Sequence, residues 1–256
     1  MRSFIGVARA VAWRNVRASI ANPPLLIPPI AAPLMFFVTF VGAFSTLGRA
    51  PGFEFPSGYT SFQFVFIVLQ AGAFNGVFMG FSIARDWESG FAQRLFLAAP
   101  QRRAILFGYV LAALLRTVVT LAVLFAAGFI ARMEVDGSPL EMAGLVLIPL
   151  GVAAIGALWG AGVSFRARTI QAGPAMQMPL FLSLFLAPVF VPAALLSGWI
   201  KAVSSYNPMT VFLEAGRAYI SGTDANDLLL VGVSLGMVLV LMVWGLRGLR
   251  SAERAT

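Results

Sequence analysis

The chain has 256 residues, of which 59% are hydrophobic and 11% charged, with a formal net charge of +8. Soluble domains carry about 25% charged residues, so this composition excludes a soluble globular protein and indicates a single integral membrane domain. Cys and His are both absent, which excludes disulfides, thiolate or imidazole metal sites, and Ser–His or Cys–His nucleophiles.

In chain order, residues 1–22 are predicted to form an amphipathic surface helix. At 100° per residue Arg2, Arg9 and Arg17 share one face and Phe4, Val7 and Val11 lie roughly opposite, with Trp13 near the arginines. A basic tail that only sets topology is the competing reading. A cleavable signal peptide is not expected, because the apolar run that follows is too long for an h-region. Apolar runs then predict six spans: 26–47, 61–84, one within 104–131 that holds Arg116, 142–165, one within 169–200 ending near Pro188 and Pro192, and 228–246. So many separate apolar runs predict an all-α membrane protein, because only a helix satisfies its backbone polar groups within each run. Six crossings place both termini on one side. That side holds thirteen arginines, whereas the other holds Arg49, Arg132, Lys201 and Arg217 together with most of the acids, from Glu54 to Asp227. This asymmetry is the signature of membrane topology rather than of nucleic-acid binding, and it puts both termini in the cytoplasm.

The segment between the second and third spans, FSIARDWESGFAQRLFLAAP, sets Arg85, Asp86, Glu88 and Arg94 around Trp87 and Gly90. Residues 87–97 are predicted to be a short helix with Phe91, Leu95 and Phe96 as apolar contacts and Glu88, Gln93 and Arg94 as polar ones. Gly90 weakens helix propensity by about 1 kcal/mol and permits close backbone approach, and Pro100 marks a turn. This loop is either a handle for a cytoplasmic partner or an ordinary solvated loop. Within the spans, Gln63 and Gln70 lie seven residues apart, with Phe66 and Phe74 on the same face and Asn75 angled away; the fifth span offers Gln171, Met176, Gln177 and Met178. These amides suit either an amphipathic cargo or interhelical hydrogen bonding. Gln63, Gln70, Phe74, Asn75, Arg116 and Gln177 are the candidate substrate path. Arg116 is expected to snorkel or pack, with binding of an anionic lipid or cargo group as the alternative. Glycine pairs at 72/76/80, 156/160 and 232/236 predict close helix packing.

The single lysine, Lys201, follows SGWI, so the sequence holds no G-x-x-x-x-G-K-[ST] phosphate loop. The spans hold no Asp or Glu, which argues against a proton-coupled carrier, while a sodium site built from backbone carbonyls stays open. The energy for any transport is expected to come from elsewhere.

RDWESGFAQRLFLAAPQRRAILFGYVLAALLR resembles the signature of ABC transporter permeases of the type-2 exporter family, especially the actinobacterial daunorubicin-resistance branch, at Arg85, Asp86, Glu88, Gly90, Leu95, Pro100 and Gly108. NPMTVFLEAGR, residues 207–217, resembles the family's Asn-Pro motif before the last span. The resemblance implies that residues 85–103 are a coupling loop, in which Arg85, Asp86, Trp87, Glu88, Gly90, Phe91 and Arg94 contact an ATP-binding-cassette ATPase subunit. It implies two such subunits, which hold the ATP and Mg²⁺ while this chain holds no cofactor, and a second permease half in a homodimer or heterodimer within a bacterial inner membrane. It further implies an outer re-entrant segment over 197–226, two short helices with Asn207, Pro208, Glu214 and Arg217 as an outer gate, and a hydrophobic or amphipathic cargo, drug or lipid. An ATP-independent secondary transporter or channel and a membrane assembly scaffold are the alternatives.

Overall fold

The computed structural model describes residues 2–21, 23–44, 53 and 55–254. Leu47 at the end of the expected first span, Arg49 and Glu54 lie outside the described residues, as does the side chain of Arg2. Ten α-helices are described: α1 Arg2–Ala21, α2 Pro23–Phe44, α3 Gly58–Glu88, α4 Phe91–Ala98, α5 Arg103–Ile130, α6 Pro139–Ala167, α7 Gly173–Phe185, α8 Gly198–Tyr206, α9 Pro208–Ser221 and α10 Asp227–Glu253. Among the described residues there is no strand.

The helix ends follow from local chemistry. Ser138 and Glu141 close a capping box around Pro139 at the start of α6, which satisfies two of the orphan N–H groups there. Asn207 before Pro208 caps α9 by accepting from the Met209 N–H at 3.0 Å, and Asn226 caps α10 through the Leu229 N–H. Gly90 at φ +72° reverses the chain between α3 and α4, a backbone state that glycine adopts without a steric penalty.

Among the described residues, four helices are long and apolar enough to cross a membrane: α3, α5, α6 and α10. In α2 the apolar stretch Ile27–Ala43 is shorter, and Pro28, Pro29 and Pro33 interrupt its hydrogen-bond ladder. The expected fifth span is only partly helical. α7 has 13 residues, a rise of about 20 Å against a hydrocarbon core of about 30 Å, and beyond Phe185 the chain runs through bends past Pro188 and Pro192.

α3 is the centre of the bundle. In its most apolar window 89% of residues are buried, against 11% for α10, so α3 is wrapped by protein whereas α10 lies on the rim. The seam between α3 and α6 is backbone against backbone. A Cβ at Gly72 would strike the Pro149 carbonyl, one at Gly76 would meet the Ala153 carbonyl at 2.5 Å, and one at Gly80 would meet Gly160 Cα at 2.9 Å. The glycine stripes of α3 and α6 therefore face each other within one bundle, while Gly232 and Gly236 of α10 face open space. α10 rides on α6 through Trp159 and Trp244, stacked at 5.5 Å, with the Arg166 guanidinium 3.8 Å from the Trp244 ring.

α1 does not present its apolar face to open surroundings. Ala8, Val11 and Ala12 are buried, and α1 crosses α5 at Gly108, where a Cβ would lie 2.7 Å from both the Ala8 carbonyl and Val11 Cβ. The face expected to meet lipid is spent on α5.

Gly76→Ala should push α3 and α6 apart, an overpacking that costs about 1–3 kcal/mol. A thermal unfolding scan of the detergent-purified protein should therefore show a lowered Tm for Gly76→Ala and an unchanged or slightly raised one for Gly232→Ala, where alanine is the better helix former and meets nothing. Equal behaviour of the two would contradict the seam.

Candidate functional site

One end of the bundle gathers the end of α3, all of α4, the start of α5, the ends of α6 and α10, and α1. Glu88 on α3 accepts hydrogen bonds from Thr169 Oγ1 and the Ile170 N–H, both at 2.8 Å, and Arg168 donates to the Ser251 carbonyl at 3.3 Å. Glu88 lies past the apolar stretch of α3; the hydrogen bond from the Ile170 backbone, then that from Thr169, hold its carboxyl below the usual carboxylate range. This carboxylate caps the turn that leads into α7 and so ties α7 to the end of α3.

α4 is two-faced. Ala92 and Phe96 are buried, and Phe96 packs between Trp87 at 5.3 Å and Phe165 at 6.1 Å. Gln93, Arg94, Leu97 and Ala98 are exposed on the other face. The structure corrects two expected roles here. Trp87 is 6% exposed and belongs to α3, with Phe96 against its ring and the Arg168 guanidinium 5.0 Å from it. Trp87 and Phe96 therefore hold the elbow together and offer no surface to a partner. Arg85, Glu88 and Arg94 are exposed, and Gly90 and Phe91 are half-buried.

Asp86 is also turned inward. Its carboxylate accepts from both terminal nitrogens of Arg14 on α1, one at 3.1 Å, and from the Tyr109 hydroxyl on α5 at 2.5 Å. The Arg14 guanidinium in turn lies 3.9 Å from the centre of the Phe91 ring. A charge-assisted pair of this kind is stronger than a neutral hydrogen bond, and it clamps α1, α3 and α5 at one point beside α4. Asp86 is thus an internal clamp rather than an exposed contact. Arg14 and Tyr109 were not singled out in the sequence, where Arg14 counts only as a topogenic charge. The signal lay in Asp86 itself, an acid inside an arginine-rich segment. Leu97, 74% exposed, was also missed. Adjacent helical residues point about 100° apart, so in LeuPheLeu at 95–97 the burial of Phe96 turns Leu97 outward.

In the interior, Gln63, Gln70 and Asn75 are fully buried on α3. Asn75 donates to Thr120 Oγ1 of α5 at 3.0 Å and to the Ala71 carbonyl, which is interhelical hydrogen bonding. The amides of Gln63 and Gln70 have no hydrogen-bond partner among the described residues. Gln70 sits between Phe66 and Phe74, whose rings meet Phe185 and Phe181 of α7 at 5.9 and 5.1 Å. Gln177 is half-buried. Arg116 is 3% exposed; it packs inside the bundle and does not snorkel, because its side chain is enclosed by protein.

At the opposite end, α8 and α9 occupy most of residues 197–226. The Asn207 side chain caps α9 and donates to the Ser183 carbonyl of α7 at 2.5 Å. Arg217, 3% exposed, donates to the carbonyls of Pro188 at 2.8 Å and Val189 at 3.1 Å and to Glu214 at 3.0 Å, with its guanidinium 3.5 Å from the Phe62 ring centre. It braces α9, α3 and the chain after α7. Together with Glu214 it lines a cavity of about 420 Å³ that also touches Pro192 and Asn226.

A family model described as ABC-2 type transporter matches residues 7–220. The chain is 29% identical over 236 residues to the daunorubicin resistance ABC transporter permease protein DrrB1 of Streptomyces coeruleorubidus, an alignment that covers 89% of this chain and 80% of that protein.

Asp86→Asn should remove the charge that holds Arg14 and Tyr109, a local loss of about 1.5–3 kcal/mol. Limited trypsin digestion should then cut after Arg14 or Arg17 at least tenfold faster than in the unaltered protein, while circular dichroism stays unchanged. Unchanged cleavage would mean that α1 is held by its apolar face alone.

Proposed function

The chain belongs to the ABC-2 type transporter family, and we propose that it is the membrane-spanning permease subunit of an ATP-driven exporter, powered by a separate ATP-binding-cassette subunit. The two faces of α4 carry this reading. A short helix stands between two long apolar helices, its inner face locked to the bundle and its outer face, Gln93, Arg94 and Leu97, left exposed. Such a patch of charge around one exposed leucine suits a docking contact.

In this reading six crossings are made by α2, α3, α5, α6, α7 with the bends after it, and α10, and the arginine-rich end lies in the cytoplasm. ATP and Mg²⁺ are held by two ATPase subunits, and a second permease half, a copy or a relative, completes the path in a bacterial inner membrane. Closure of the ATPase pair pushes the elbow. The Asp86 clamp carries α1 and α5 with it, and Glu88 passes the movement to the turn before α7. α7 in turn holds the phenylalanines that flank Gln70. The elbow is thereby linked to the interior amides through contacts between side chains. Asn207, Pro208, Glu214 and Arg217 brace the far end and form an outer gate. Cargo is a hydrophobic or amphipathic molecule, drug or lipid, whose polar group meets Gln63 and Gln70, with Phe74, Asn75, Arg116 and Gln177 along the way.

Leu97→Asp and Arg94→Glu should each weaken capture of the co-purifying ATPase subunit by about tenfold or more, the scale of an interface hot spot, with unchanged yield and Tm of the permease. Full export with no ATPase subunit present would defeat the reading and favour a secondary transporter. Gln70→Leu removes a buried amide that lacks a partner, so Tm should hold or rise, while the relative export of polar-headed and wholly apolar test cargoes should shift. A fall in Tm with unchanged selectivity would make Gln70 a packing residue.

A further inference from the structure

Docking on α5 uses up the apolar face of α1 and leaves a different face outward. Ile5, Arg9, Trp13, Arg17 and Ile20 are all exposed on it, with Ile5, Trp13 and Ile20 each above 60%. Large apolar side chains interleaved with arginines, with a tryptophan among them, are the composition of a surface that sits at a membrane–water interface.

Where this face meets α5 the surface is hollow. A groove of about 480 Å³ is lined by Gly6, Arg9, Ala10, Ala12 and Trp13 of α1 and by Leu111 and Leu115 of α5, within the roughly 300–1,000 Å³ of small-molecule sites. Gly6 and Ala10, one helical turn apart and both exposed, leave its α1 side open. Arg9 supplies the charge and Trp13 a flat amphipathic wall. The helices cross at Gly108, and Leu115 lies seven residues, about 10 Å, further along α5. From there the exposed side chains of Leu111, Leu115 and Val118 continue as one stripe along the apolar helix. The hollow is therefore cationic at its interfacial end and opens onto an apolar track at the other.

We propose that this groove binds one anionic phospholipid, its phosphate against Arg9, its glycerol region over Gly6 and Ala10, and an acyl chain along Leu111, Leu115 and Val118. Charge selects the head, and the apolar track selects an occupant with a tail over a free anion. The proposal rests on the reading that α5 crosses the membrane, but not on any role for an ATPase. α1 is the helix clamped to the elbow through Arg14 and Asp86, so the lipid would sit against one arm of that clamp.

The test is native mass spectrometry of the full-length protein in mixed micelles containing either phosphatidylglycerol or phosphatidylcholine of the same chains. One retained phosphatidylglycerol per chain and little phosphatidylcholine are expected. Arg9→Gln should weaken phosphatidylglycerol retention by more than about tenfold, and Arg9→Lys should restore most of it. Arg17→Gln, outside the groove, should cost no more than the roughly fivefold of a single cation near an anionic surface. Leu115→Trp, which fills the tail track, should reduce retention without altering the charge. Equal losses for Arg9→Gln and Arg17→Gln would overturn the site in favour of diffuse surface charge. Equal retention of the two lipids, or displacement by inorganic phosphate at millimolar concentration, would overturn it as well. Export and ATPase capture are read separately, so loss of the site leaves the transport reading standing or falling on its own assays.

Discussion

A carboxylate at an interface between helices must be paired or it destabilises them, and the arginine-rich end of this protein is organised around one. Asp86, with 14% of its side chain exposed, receives Arg14 from α1 and Tyr109 from α5. It stands two residues before the end of α3, so three helices are fixed to one another within a turn of the exposed elbow. The remaining contacts at this end build outward from that point: Phe91 under Arg14, Phe96 against Trp87, and Glu88 reaching to the turn before α7. Without the clamp the elbow would be held to the bundle by Phe96 between Trp87 and Phe165. With it, the elbow is a small rigid body that includes α1.

The interior divides the same way between what is fixed and what is left open. α3 carries its small residues toward α6, where backbones touch, and Phe66 and Phe74 toward α7. The Asn75 amide nitrogen donates to Thr120 and to the Ala71 carbonyl, while Gln63 and Gln70 are enclosed with no partner for either amide atom among the described residues. A buried amide without a hydrogen bond destabilises a fold by about 1–3 kcal/mol, and the central helix carries two of them on one face.

Much of this was legible in the sequence, and for identifiable reasons. Long uncharged runs can only be helices in a bilayer, so α3, α5, α6 and α10 could be located from composition alone. Pro100 marked the turn after α4, but Gly90, expected inside a helix over 87–97, instead separates α3 from α4; the Asn-Pro motif at 207–208 falls at the start of α9. Side-chain direction was not legible. Charge suggests exposure, yet Asp86 points inward; the family resemblance implied a contact role for Trp87, yet it is packed; and nothing in the sequence singled out Leu97, which is exposed. The direction of Asp86 depends on a helix distant in sequence, with Arg14 72 residues away, and that of Trp87 on Phe96 across the Gly90 turn and on Arg168. Arg116 was expected to snorkel or to pack and it packs; which of the two a mid-helix cation does depends on which face of α5 the neighbours occupy. The fifth span was expected to end near Pro188 and Pro192, and α7 ends just before them at Phe185; the uncharged run did not reveal that residues 170–172 form a separate turn, which leaves α7 with 13 residues.

The seam between α3 and α6 has a mechanical corollary. Glycine against glycine brings the two backbones to touching distance, so drawing the rods apart forfeits the whole contact. Ser164 pins the same seam lengthwise, its hydroxyl donating to the Gly80 carbonyl at 2.7 Å. The two rods therefore form one stiff beam, which runs from the centre of the molecule toward the end where the elbow is attached.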